Sequence, residues 1–141
     1  MTTVPNLENP RRPMPIIDDD NRAFWDGCKN RRLLLQRCDA CAAYRYYPGA
    51  ICPSCGSLEF SWKDITGEGT VYTFSVVYRA ATPAFAEDVP YVYAVVELKE
   101  GPMMPTNVVG IEPENVRIGM PVRVTFREIT PDVVLPVFQP A

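Results

Sequence analysis

Four of the five cysteines in this chain fall in two C-x-x-C pairs, Cys38-Asp39-Ala40-Cys41 and Cys52-Pro53-Ser54-Cys55, with ten residues between the pairs. Thiolates are soft donors, and four at this spacing suit one tetrahedral ion. Zinc fits the short spacer best. The run Cys52-Pro53-Ser54-Cys55-Gly56 also has the form of a rubredoxin knuckle, which leaves redox iron as the alternative. Four sulfurs close the coordination sphere and leave no position for water or substrate. Cys38, Cys41, Cys52 and Cys55 are therefore read as a structural metal site. A ribbon this small has no core of its own, so the ion must supply its folding energy.

Other reactive groups are scarce. The 141 residues include no histidine, which removes the commonest general base and every Ser-His or Cys-His pair. No paired-carboxylate pattern stands out. Cys28, the fifth cysteine, is read as a small hydrophobe on a helix face. Cysteines with metal-ligand spacing and no secretory-type apolar stretch point to a reducing, cytoplasmic setting. No apolar run is long enough for a membrane span.

The elements that must hold the ribbon follow from patterning. Residues 1–17 contain Pro5, Pro10, Pro13 and Pro15 and read as an extended arm. Asp18-Asp19-Asp20 offers helix-capping side chains and a favourable charge at a helix start. A short helix to about residue 30 places Phe24, Trp25 and Cys28 on one face. Phe24 and Trp25 then form either a local clamp or an aromatic wall for a ligand or partner. Leu33-Leu34-Leu35 leads as a strand into the first knuckle, and residues 44–47 lead toward the second. Gly56 follows Cys55, where a knuckle needs a left-handed residue, and Ala42 takes the equivalent place after Cys41.

The remainder alternates as strands do. In residues 71–78, Tyr72, Phe74, Val76 and Tyr78 are expected inward. In 91–99 the inward set is Val92, Ala94, Val96 and Leu98, with Tyr91 and Tyr93 outward. A third run spans 107–111, and a fourth carries Val122, Val124 and Phe126 inward. A fifth spans 133–138, with Pro136 marking an edge or chain end. Five strands in so short a segment fit a small closed barrel, the OB-fold first and an SH3-like barrel second. The expected class is mainly β: an N-terminal helical segment (1–35), a rubredoxin-like zinc ribbon (36–62) and a C-terminal five-stranded OB-fold barrel (63–141).

Charge divides the chain. Residues 22–45 carry six basic side chains against two acidic, and residues 46–141 carry six against eleven. The acidic barrel argues against nucleic acid as a partner. The run Lys29-Asn30-Arg31-Arg32, with Arg37 and Arg45, is either a solvated face or a holder of phosphates. Beside an apolar helix it suits a phosphorylated head with a greasy tail, as in a nucleotide thioester. The long segment 80–90 carries Phe85, which either folds back on the barrel or contacts a partner.

Assembled in order, these segments resemble a family of small acyl-CoA-associated proteins with a zinc ribbon and an OB-fold, long labelled as of unknown function. The resemblance covers nearly the whole chain. It rests on Phe24-Trp25-Asp26-Gly27, Arg32-Leu33-Leu34-Leu35-Gln36-Arg37-Cys38, Cys52-Pro53-Ser54-Cys55-Gly56-Ser57, Gly69-Thr70-Val71-Tyr72-Thr73-Phe74 and Leu135-Pro136-Val137-Phe138. It implies a non-catalytic subunit in a hetero-oligomer with a thiolase-superfamily enzyme, a thiolase or an acyl-CoA aldolase, with steroid or other lipid catabolism as the setting. It also implies that Phe24, Trp25, Arg31, Arg32, Arg37 and Phe85 lie near the partner or the CoA path. A free-standing acyl-CoA carrier, a carboxylate hydrolase and a nucleic-acid module are the competing classes.

Overall fold

The computed structural model describes residues 13–141. The expected arm falls mostly on residues 1–12, outside the described residues. One α-helix, two short 3-10 turns and eight strands follow among the described residues. Helix α1 spans Arg22–Lys29. Strands β1 (Leu34–Cys38), β2 (Tyr44–Arg45) and β3 (Phe60–Asp64) form an antiparallel sheet in the order β2-β1-β3. Strands β4 (Glu68–Val77), β5 (Tyr91–Leu98), β6 (Met103–Val108), β7 (Pro121–Thr130) and β8 (Val133–Pro140) close a barrel in the order β4-β5-β6-β8-β7. The five-stranded barrel, the ribbon and the short helix are the architecture expected from the sequence.

The helix begins where the aspartates run out. Asp18 turns the chain by accepting hydrogen bonds from the backbone N–H groups of Asp20 and Asn21. Asn21 Oδ1 accepts from Asp18 N–H in return, so these side chains build the turn ahead of the helix. Asn21 occupies the cap position and makes no side-chain cap bond. Phe24, Trp25, Gly27 and Cys28 are the buried face. Gly27 is required there: a Cβ would lie 2.9 Å from Leu34 Cγ and 3.0 Å from the Arg32 carbonyl oxygen.

An eight-residue helix does not stand alone in water. This one is held because its apolar face enters the barrel's own core. Phe24, Trp25, Cys28, Leu33, Leu35 and Ile65 join Val71, Val96, Leu98, Met104, Val122 and Phe138 in one continuous cluster. The helix also packs against β8.

Strand β5 matches its expected inward set: Val92, Ala94, Val96 and Leu98 are all buried. Strand β4 does not. Its pairing with β5 shifts between Val71 and Thr73, a β-bulge at Tyr72. The extra residue turns the alternation over. Val71 is buried and Tyr72 is 57% exposed, so Tyr72 faces out instead of in, while Tyr78, expected inward, lies just past the end of the strand and is 73% exposed. Phe74 and Val76 keep their expected places against the core. The third barrel strand also starts earlier than expected, at Met103 rather than Asn107. Pro102 and Pro105 mask its pattern, and Pro105 still pairs with Val95 of β5. Between β6 and β7 the chain has room for one 3-10 turn, Pro113–Asn115.

The barrel closes unevenly. β7 and β8 pair along nearly their whole length, whereas β6 and β8 meet in parallel at one pair, Val108 with Phe138. Toward Pro105 and Pro136, neither of which has an N–H, the two strands diverge. Thr106 Oγ1 spans the gap by donating to the Pro136 carbonyl at 3.3 Å.

Candidate metal centre and partner surface

The first knuckle forms as β1 ends. Ala42 N–H donates to the Cys38 carbonyl at 2.9 Å, and Cys41 N–H points at Cys38 Sγ at 3.4 Å. Ala42 takes φ 69°, the left-handed conformation that its position after the second cysteine demands. The second knuckle repeats the turn, with Gly56 N–H to the Cys52 carbonyl at 2.8 Å and Gly56 at φ 80°.

The four Sγ atoms come together within 4.8 Å of one another. Cys38 and Cys55 sulfurs are 3.6 Å apart, and those of Cys41 and Cys52 are 3.7 Å apart. A zinc tetrahedron with ordinary Zn–S bonds has edges of about 3.8 Å. The sulfurs thus already lie near the corners a zinc ion requires. Cys38 and Cys52 are buried, while Cys41 and Cys55 form the outer rim.

Local charge favours ligation. The Cys41 N–H lowers the Cys38 thiol below its ordinary range. The N–H groups of Cys55 and Ser54 lower Cys52 to about 6. Cys55 is pulled down by the Ser57 N–H, but the sulfurs of Cys38, Cys41 and Cys52 outweigh that and raise it to about 12. Four sulfurs this close repel as anions unless a cation sits among them. With four sulfur ligands, the centre is a structural zinc site.

A second feature lies where helix, ribbon and barrel meet. Phe24 packs edge-on against Trp25, Tyr46 and Tyr47, with ring centroids 5.0, 5.7 and 5.7 Å away. The Tyr47 hydroxyl accepts from Trp25 Nε1 at 2.9 Å and from Asn21 Nδ2 at 3.1 Å. Beyond this cluster, two adjoining hollows follow the diverging β6–β8 seam. One, of about 240 Å³, has Trp25 and Tyr46 in its wall. The other, of about 410 Å³, has Phe85, Tyr91 and Arg127. Both are lined by Tyr93, Asn107, Leu135 and Val137, so together they make one trough.

The expected contact residues separate accordingly. Trp25 and Phe85 lie at opposite ends of the trough. Phe24 is fully buried and supports it from beneath. Arg31, Arg32 and Arg37 line neither hollow. Arg32 is paired with Asp64 at 2.8 Å, and Arg37 lies 6.0 Å from the centre of the Tyr44 ring. Arg31 is exposed, at φ 61°, with Nη1 donating to the Lys29 carbonyl. Sequence reasoning missed Arg127 because β7 alternation marks it only as outward. It also missed Tyr72 as a surface aromatic, because a bulge leaves no composition signal, and Tyr78, because the strand ends one residue before it.

Residues 25–61 match the family description "ChsH2, rubredoxin-like zinc ribbon domain", and residues 62–127 match "ChsH2, C-terminal OB-fold domain". A DUF35 domain-containing scaffold protein of Methanocaldococcus jannaschii is 39% identical over 110 residues, 77% of each chain. The chain belongs to the ChsH2/DUF35 family. Two longer relatives contain a ChsH2/DUF35 segment. A probable enoyl-CoA hydratase alpha subunit of Thermomonospora curvata is 45% identical over 130 residues, covering 92% of this chain and 40% of its own. The 3-oxo-4,17-pregnadiene-20-carboxyl-CoA hydratase alpha subunit of Mycobacterium tuberculosis is 35% identical over 140 residues, covering 99% of this chain and 44% of its own. The chain thus spans less than half the length of these two relatives. A solved ChsH2/DUF35 structure, described as the Ltp2-ChsH2(DUF35) aldolase, superposes with a TM-score of 0.80 at 44% identity. The match covers 90% of this chain and 98% of that one. Among the described residues no helix is long and apolar enough to cross a membrane.

Proposed function

We propose that this chain is a non-catalytic partner subunit of a thiolase-superfamily enzyme that acts on acyl-CoA. One observation carries the reading: nearly the full length of a solved chain from an aldolase assembly matches this one. The chemistry of the chain agrees. It has no histidine, and its metal ligands leave no open coordination position. The trough between Trp25 and Phe85 is the surface assigned to the partner and the thioester. Its aromatic and aliphatic floor suits an acyl or pantetheine segment, and its far end carries both Arg127 and Asp88. The pregnadiene-CoA relative makes a steroid acyl group the first substrate to test.

The competing carrier class finds less support. Its only anchor would be the same trough, whose hollows of about 240 and 410 Å³ are of a size to take part of a CoA thioester, so pocket volume alone does not favour a carrier over a subunit. The decisive experiment is co-expression with a thiolase-like protein encoded beside it, followed by size exclusion. A stoichiometric complex that cleaves or condenses acyl-CoA, with neither protein active alone, is expected. A chain that stays monomeric beside every such protein, or that turns over acyl-CoA by itself, overturns the proposal.

A further inference from the structure

The ribbon holds one buried charge that the metal ligands do not explain. Arg45 on β2 is 6% exposed, and no carboxylate pairs with it among the described residues. Its Nε donates to Gln36 Oε1 at 2.8 Å, and its Nη2 donates to the Gly49 carbonyl at 2.9 Å. Its Cζ lies 5.0 Å from the centre of the Phe60 ring. Gln36 Oε1 also accepts from Gly49 N–H. Two donors are left over: Arg45 Nη1 and Gln36 Nε2 are buried with no hydrogen-bond partner. Burying a cation without an opposing charge is costly, so a nearby anion is needed to offset it.

The register places the cysteine cluster on Arg45's side of the sheet. Gln36 is directly opposite Arg45 on β2 and Trp62 on β3, and Cys38 is directly opposite Phe60. Positions two apart on a strand share a face. Gln36, Arg45 and Phe60 therefore lie on the same face of the sheet as the Cys38 side chain. On the other flank, Gly49, which Arg45 holds, is three residues ahead of Cys52. The guanidinium is tied to the approach to both knuckles. Four thiolates around one zinc ion carry two negative charges in excess.

We propose that Arg45 is the built-in counter-charge of the tetrathiolate zinc centre, held in place by Gln36. Buried charges are screened weakly by solvent, so one cation on this face stabilises the dianionic cluster more than any of the exposed arginines does. This role makes Arg45 a positioning and electrostatic residue of the ribbon, separate from the trough.

The test is zinc affinity of the full chain at neutral pH, by competition with a chromophoric chelator. Arg45→Met keeps the stem that packs on Phe60 and deletes the charge. Arg45→Lys keeps the charge and deletes the fork. Gln36→Glu keeps the acceptor for Arg45 and Gly49 while cancelling the charge inside the ribbon. Arg45→Met and Gln36→Glu are expected to weaken zinc binding by about tenfold or more, whereas Arg45→Lys stays within about threefold. Cobalt substitution checks that each variant still forms a tetrahedral thiolate site. Arg45→Met binding zinc as tightly as the natural chain overturns the proposal. So does Arg45→Lys losing as much as Arg45→Met, which assigns the effect to the fork and the Gly49 bond. If Arg45→Met does not fold, Gln36→Glu decides alone: unchanged affinity there overturns the proposal too.

Discussion

Trp25 of the helix and Tyr47 of the ribbon are joined by a 2.9 Å hydrogen bond from the indole N–H to the phenol oxygen. The same oxygen accepts from the buried Asn21 amide, so one hydroxyl satisfies two donors from the helix end. Tyr47→Phe removes the acceptor and keeps the ring. Leaving buried donors unpaired costs about 1–3 kcal/mol. The expected result is a loss of unfolding free energy of that size, seen as a lower urea midpoint, with zinc affinity unchanged. An unaltered midpoint shows that solvent reaches both donors.

Ala42 sits at φ 69° where the matching knuckle has Gly56 at φ 80°. A left-handed non-glycine residue costs about 1–2 kcal/mol. Glycine at this position relieves that cost, less the extra freedom it gives the unfolded chain. Ala42→Gly is expected to raise the thermal midpoint of the zinc-loaded protein, and Gly56→Ala to lower it. Equal midpoints in all three proteins contradict the strain assigned to Ala42.

Removing zinc separates the modules. The ribbon sheet shares no strand with the barrel, and the loops between its strands are shaped around the sulfurs. A chelator is expected to abolish amide exchange protection in residues 36–62 first, while β5 and β7 stay protected. Simultaneous loss across both modules means that the ribbon's fold energy is shared with the barrel. Persistence of ribbon protection after zinc removal shows that the metal is not structural.

Cys28 lies in the core, and burial pushes its thiol from 9.0 up to about 12. Its folded pKa is raised, so its contribution is full below pH 9. Above that the unfolded chain gives up the proton while the folded one keeps it, and stability falls as pH rises toward 12. Cys28→Ala is expected to flatten the alkaline fall by about 1.4 kcal/mol per pH unit, after a constant offset for the lost sulfur. Parallel stability–pH curves for the two proteins contradict this. Cys28 should also resist alkylation in the folded protein, as intact mass after iodoacetamide will show.

What the sequence made legible were features with local rules. The cysteine spacing needs no distant information, and neither does the left-handed place of Ala42. The even residues of 92–98 are apolar without interruption. What it hid depends on partners far along the chain. The β3 segment Phe60-Ser61-Trp62-Lys63-Asp64 becomes a strand by pairing with Leu34–Cys38, and its own pattern is too short to say so. Tyr72 reads as inward until a bulge with β5 reverses it. Arg45 counts as one more surface cation until Gln36, Gly49 and Phe60 enclose it. The trough lies along the β6–β8 seam, where Pro105 and Pro136 hint at weak pairing but only the pairing of distant strands makes a groove.

Only Ile65, Thr66 and Gly67 separate β3 of the ribbon from β4 of the barrel. Ile65 N–H is bonded to the Leu33 carbonyl at 3.0 Å, and the Gly67 carbonyl accepts from Val124 N–H at 2.8 Å. A Cβ at Gly67 would run into the Val124 side chain. The joint is thus bolted on both sides and has no slack. The two modules act as the arms of a set square: a protein that rests on both must match their angle, so recognition is by geometry fixed in advance as much as by the chemistry of either arm.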